Sequence, residues 1–200
     1  MKKIPTLFKR EFESHRVART FPEVTEGLEW ILTDQDVYPT VKIDGACCSI
    51  INGELYKRYD AKNGKPIPEG AIKCQDAPDP VTGHWPCWVK CDRDNPADKW
   101  FFAAYDYTRT KRIFLSEGTY EAIGKHFNGN PYDFDSDMIE RHGLRVIYSI
   151  HLSEDVNKTY ELIKSWLEFN NVEGIVFWKN VQPICKIKRS DFGFEWPIKR

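Results

Sequence analysis

The sequence predicts an α+β fold: a single domain over residues 1–200, built of mainly antiparallel sheets with flanking helices and without an oligonucleotide-binding (OB) domain. Three observations carry that expectation. Short apolar runs rich in Val, Ile, Phe, Tyr and Trp recur between turn signals. One segment alone has strong helical periodicity. A chain of 200 residues that is 41% hydrophobic has room for one well-formed core.

Taken in order, a weak helix is expected around Thr25 to Leu32. Strands are expected over Val41 to Ile51 and Glu54 to Arg58, on either side of an Asn52-Gly53 turn. Lys62 to Asp98 is rich in Pro, Gly and Asp and reads as a long loop or insert. Trp100 to Tyr107 reads as a strand because aromatic residues crowd it. A second weak helix is expected at Ser136 to Arg141, and a strand at Leu144 to Leu152. The best helix follows, with Ser153 as N-cap, Glu154 and Asp155 in its first turn, and Val156, Tyr160, Ile163 and Leu167 on one face. It ends near Asn170-Asn171. Two strands, Gly174 to Trp178 and Ile184 to Lys188, close the pattern.

The 29 basic and 30 acidic residues nearly cancel, so charge alone does not hold this chain to nucleic acid, and any such contact must be a local patch. Candidate cations for it are Lys9, Arg10, Arg16, Arg19, Lys111, Arg112, Arg189, Lys199 and Arg200. No apolar run suits a signal peptide or a membrane span, so a soluble, cytoplasmic protein is expected, taken here as a monomer. Six cysteines then read as free thiols. Cys74, His84, Cys87 and Cys91 offer zinc-ligand chemistry within one loop-rich stretch, but lack paired Cys-x-x-Cys knuckles, which favours unliganded thiols.

Two hairpins gather the charged residues. Asn-Gly supplies the two positive φ angles of a type I′ turn, which would set Cys47 opposite Arg58 and Gly45 opposite Asp60, at the same sheet end as Lys42 and Asp44. In the second hairpin, Glu173-Gly174-Ile175-Val176-Phe177-Trp178 turns through Lys179-Asn180 into Ile184-Cys185-Lys186-Ile187-Lys188. Strand alternation puts Lys186 and Lys188 on one face, with Glu173 roughly opposite Lys188 and the pairing interrupted by Pro183. Either hairpin alone would be an ordinary charged sheet face. Together they form an ordered set.

That set resembles the covalent nucleotidyltransferase superfamily of ATP-dependent ligases and capping enzymes. Lys42-Ile43-Asp44-Gly45 is similar to its first motif, Glu173-Gly174-Ile175-Val176-Phe177 to its fourth and Lys186-Ile187-Lys188 to its fifth. Gly118-Thr119-Tyr120-Glu121-Ala122-Ile123-Gly124 resembles the third, with Glu117 as a competing glutamate. Leu55 to Asp60, Pro96 to Trp100 and Gly129 to Tyr132 are similar to RNA ligases that include the vertebrate 5′-3′ RNA ligase and small viral relatives. With few residues following Lys188, an OB domain is not expected.

The resemblance implies an ATP-dependent RNA ligase that joins 5′-phosphate and 3′-hydroxyl RNA ends through AMP linked to Lys42. Lys42, Lys186 and Lys188 would be the catalytic residues. Lys42, Asp44, Gly45, Arg58, Glu121, Glu173, Lys186 and Lys188 would surround the nucleotide, with Glu121 on the ribose and Tyr148 beside the adenine. Asp44 and Glu173, with Glu121 as a further candidate, would hold Mg²⁺ or Mn²⁺. An ordinary lysine titrates at about 10.4, so Lys42 needs desolvation or nearby cations to become a nucleophile near neutral pH. A GTP-dependent mRNA guanylyltransferase, a DNA ligase and a non-catalytic nucleotide- or RNA-binding module are the alternative readings.

Overall fold

A computed structural model of the chain describes all residues except His15, Asn63, Gly64, Val81, Arg112, Lys199 and Arg200. It is mixed α and β, and every ladder between its strands is antiparallel. The strands are β1 (Phe8–Glu13), β2 (Arg16–Val24), β3 (Tyr38–Lys42), β4 (Ala46–Ile51), β5 (Glu54–Ala61), β6 (Ile72–Lys73), β7 (Trp85–Lys90), β8 (Gly118–Ile123), β9 (Met138–Arg141), β10 (Gly174–Lys179) and β11 (Gln182–Lys188). The helices are α1 (Lys99–Thr110) and α2 (Val156–Phe169). The residues fall into two compact units, Met1–Lys3 with Asp44–His142, and Ile4–Ile43 with Gly143–Arg200.

The first unit is a six-stranded sheet in the order β6-β7-β5-β4-β8-β9. The Asn52-Gly53 turn has φ of 51° and 76° and keeps the expected register, with Cys48 opposite Lys57 and Ile51 opposite Glu54. Glu117 fastens the turn by accepting from the N–H groups of Asn52 (2.9 Å) and Gly53 (2.8 Å). Cys48, Ile50, Leu55, Tyr120, Ala122 and Ile139 pack with Ala104 of α1 and with Phe101, Phe102 and Tyr105 around it.

Four expectations fail between residues 41 and 141. Trp100 to Tyr107 is helical, because Asn95 accepts from Ala97 N–H (3.0 Å), Pro96 starts a turn of 3₁₀ helix, and the four-residue spacing of Ala104 and Thr108 buries one face. The expected helix at Ser136 to Arg141 is instead strand β9, formed where β8 offers an edge to pair with. The stretch Lys62 to Asp98 contains β6 and β7. Val41 to Ile51 is not one strand but two, parted at Asp44-Gly45.

The second unit holds the ribbon β1-β2 and a three-stranded sheet, β11-β10-β3, with α2 packed on its apolar side. Ile163 and Leu167 of α2 are fully buried with Ile175, Phe177, Cys185 and Ile187, as the helical spacing required. Its N-cap is Asp155, not Ser153: Asp155 Oδ1 accepts from Asn157 and Lys158 N–H, while Ser153 Oγ accepts from Asp155 N–H (3.2 Å). Thr25 to Leu32 yields only a short 3₁₀ turn, Glu29–Leu32. Leu144 to Leu152 is not a strand. It follows β3 for two hydrogen bonds, Val41 N–H to Arg145 O and Ile147 N–H to Pro39 O (both 2.9 Å), and otherwise anchors itself through buried Ile147 and Ile150.

Candidate active site

The three-stranded sheet positions four of the expected residues. Lys42 of β3 pairs with Gly174 of β10, which pairs on its other side with Lys188 of β11. Directly paired residues present their side chains to one face, so the two lysines flank a position that has no side chain. A Cβ at Gly174 would run into Ile187 O and meet Lys188 Cα at 3.0 Å, so close strand approach requires glycine here. Thr40, Val176 and Lys186 form the next row on the same face.

Glu173, 6% exposed, precedes this row and gives one oxygen to each flanking lysine. Oε2 pairs with Lys42 Nζ, and Oε1 lies 2.7 Å from Lys188 Nζ. Burial works against ionisation of Glu173, but Lys42 and Lys188 outweigh it and hold the carboxyl below its usual range. Lys186 moves the other way: burial first, then the charges of Lys188 and Lys42, bring its pKa down to about 8 against the counter-effect of Glu173.

The strand register that builds this row falls within one residue of the expected pairing. Lys188 opposes Gly174, not Glu173, whose carbonyl instead accepts from Arg189 N–H (2.9 Å). The turn is Asn180-Val181, both at positive φ, and a bulge follows: Trp178 opposes Pro183 while Phe177 opposes Cys185, leaving Ile184 surplus. Pro183 has no N–H to offer the ladder, which places the irregularity there.

One residue that holds Lys188 was not foreseen. Asp191 is buried; its Oδ2 accepts from Lys188 N–H (2.8 Å) and its Oδ1 lies 2.9 Å from Arg10 Nη1. Its backbone carbonyl takes the Thr20 hydroxyl, tying the β1-β2 ribbon to the end of β11. The three-residue spacing of Lys188 and Asp191 was the available signal, that of a capping carboxylate. Arg10 is thus an internal partner more than a surface cation. Arg189 leaves the surface altogether, since its guanidinium donates to the carbonyls of Leu167, Asn170 and Glu168 at the end of α2 and to Glu195 O. Arg112, Lys199 and Arg200 lie outside the described residues. Tyr148 is 83% exposed and takes no part in the core.

The first unit carries Asp44, Gly45, Arg58 and Glu121. The loop from Asn128 to Tyr132 grips the first of these: Asp44 N–H donates to Tyr132 Oη (2.8 Å), and Asn128 Nδ2 donates to Asp44 Oδ1 (2.9 Å) and Gly45 O (2.7 Å). A Cβ on Gly45 would strike Ala122 O and Ile123 Cγ2, so this glycine lets the chain lie against β8. Arg58 donates to Asp60 Oδ1 and Met1 O, each at 2.8 Å. Lys57 pairs with buried Asp98, which joins two segments, Leu55 to Asp60 and Pro96 to Trp100, that the sequence had marked separately. Glu121 is buried, 2.9 Å from His142 Nε2, whereas Glu117 is committed to the hairpin turn. Among the described residues Cys74, His84, Cys87 and Cys91 do not gather as metal ligands.

Comparison with known proteins places the chain beside RNA ligases. Residues 109–200 match the family model of RNA ligase 1. Over 98% of its length the chain is 24% identical to RNA ligase 1 of Pongo abelii and of Rattus norvegicus, covering 82% of each, and it is 26% identical to RNA ligase 1 of Danio rerio over 70% of its length and 47% of that protein. The similarity to vertebrate RNA ligase expected from the motifs therefore extends along nearly the whole chain. Among the described residues no helix is long and apolar enough to cross a membrane.

Proposed function

We propose that this protein is an ATP-dependent RNA ligase in which Lys42 carries AMP. The observation that carries the reading is the convergence of Lys42 and Lys188 on the Glu173 carboxylate, within a chain similar to RNA ligases. Lys42 Nζ attacks the α-phosphorus of ATP, a P–N bond forms, and pyrophosphate leaves. AMP passes to an RNA 5′-phosphate, and a 3′-hydroxyl then displaces it as the phosphodiester forms.

Each residue has a part in the first step. An ammonium group bonded to a carboxylate has no lone pair to give, so Lys42 must leave Glu173 and lose a proton before it attacks. Burial and the neighbouring charges bring the Lys186 pKa down to about 8, and Lys188 would meet charge gathering on the phosphate. Glu121 contacts the ribose, Arg58, Asp44 and Gly45 complete the nucleotide's surroundings, and Tyr148 supports the adenine. Asp44 and Glu173 would hold Mg²⁺ or Mn²⁺, which supplies charge neutralisation for the triphosphate. Both oxygens of Glu173 are taken by lysines, so this carboxylate suits an ion that arrives with the phosphates and keeps most of its water.

Incubation with ATP and Mg²⁺ followed by intact-mass measurement tests the reading. Wild type should gain one AMP, Lys42→Ala should gain none, and the adduct should be discharged on RNA bearing a 5′-phosphate and a 3′-hydroxyl. Labelling by GTP alone, or sealing of nicked DNA without RNA, would overturn it.

A further inference from the structure

In the first unit, β4 and β8 pair so that Cys47 stands directly opposite Glu121, and the chain beyond β9 returns to the same place with His142 N–H on Thr119 O (3.1 Å). Residues in direct antiparallel register share a face. Three chemically different donors thus meet: a sulfur of Cys47, a carboxylate oxygen of Glu121 and a ring nitrogen of His142, all within 4.8 Å of one another. Glu121 is buried and the other two are half-buried.

We propose that Cys47, Glu121 and His142 form a binding site for a zinc-class divalent ion, with one coordination position left open. Sulfur, nitrogen and oxygen together are the donor set zinc accepts, and three protein ligands leave the fourth tetrahedral position for water or a ligand. Magnesium, which takes oxygen donors, is not served by this set. His142 Nδ1 lies 3.0 Å from the Thr119 hydroxyl, which fixes the ring and turns Nε2 toward Glu121, the direction from which an ion would be shared. As the Sγ–metal bond forms, the thiol proton leaves to solvent. A dication with one thiolate and one carboxylate is then neutral overall, which suits a largely buried place. The nearby Arg58 is already engaged by Asp60 and Met1 O. In the reading above Glu121 also serves the nucleotide, so ion and nucleotide would exclude one another at that carboxylate; this consequence rests on the ligase reading, and ion binding does not.

Titration of the metal-free full chain with Co²⁺, a zinc substitute with visible ligand-field and thiolate charge-transfer bands, decides the matter without any catalytic turnover. One equivalent should saturate both bands, and Zn²⁺ should displace it. Cys47→Ser should remove the thiolate band, His142→Ala should weaken binding at least about tenfold, and Cys74→Ser and Lys42→Ala should leave the spectrum unchanged. No thiolate band at one equivalent in the folded wild type, its survival in Cys47→Ser, or its loss in Cys74→Ser would overturn the proposal. Circular dichroism of each variant separates lost ligation from lost fold.

Discussion

Lys42 and Lys188 stand next but one in a single cross-strand row, with only Gly174 between them. Their strands are separated by about 10 Å, twice the usual strand spacing, and the Glu173 carboxylate spans that gap by giving one oxygen to each ammonium.

Gly174→Ala should therefore harm the protein more than a strand glycine usually does. The added methyl meets backbone, Ile187 O and Lys188 Cα, and neither can rotate away. Urea unfolding should show a loss of about 1–3 kcal/mol, and AMP transfer to Lys42 should fall further than stability does. An unchanged midpoint would mean the strands separate easily, contrary to this packing.

Glu173 should make stability sensitive to acid. Its folded pKa is depressed, so the stability it contributes is present above the ordinary carboxylate range and is lost as pH falls through the lower, folded value. Comparing denaturant midpoints of wild type and Glu173→Gln from neutral pH downward should show the difference shrinking over that window. Glu173→Gln should also be destabilised at neutral pH, because two partly buried ammonium groups lose their counter-charge.

Lys186 should act at the alkaline end with the opposite sense. Between its folded value of about 8 and the ordinary lysine value of 10.5, the unfolded chain binds more protons, so this residue makes stability rise with pH. Lys186→Met should lack that rise and be the more stable protein at pH 7. Equal slopes in the two proteins would show that Lys186 is not held down by its neighbours.

Asp191→Asn tests how Lys188 is positioned. The amide cannot both keep the charge-assisted pairing with Arg10 and accept as strongly from Lys188 N–H, and a loss of about 1–3 kcal/mol is expected. If Asp191 only stabilises the fold, AMP transfer measured well below the melting transition should match wild type. If it positions Lys188, the rate at saturating ATP should drop with little change in the ATP concentration required.

The sequence was most legible where structure is local. Asn52-Gly53 specified its turn and register, and the apolar spacing of Ile163 and Leu167 specified the buried face of α2. Misreadings arose where a distant partner decides. Met138 to Arg141 is extended because β8 pairs with it, and Trp100 to Tyr107 is helical because Ala104 and Thr108 pack inward, despite aromatic residues that favour strands. Within the candidate site, motif order located Lys42, Glu173, Lys186 and Lys188. Asp191, Cys47 and His142 escaped because their meaning comes from what stands across from them, which spacing along the chain does not reveal.

The surplus residue Ile184 works as a parity bit for the sheet. Were Ile184 to take a place in the ladder instead of bulging out of it, Lys186 would oppose Ile175 and fall on the greasy side, among residues that pack against α2. One residue too many returns both lysines to the side where Lys42 emerges. In redesigning this hairpin, its length would then matter more than its composition: an odd insertion or deletion beyond the bulge would turn the charges inside out while leaving every motif letter intact.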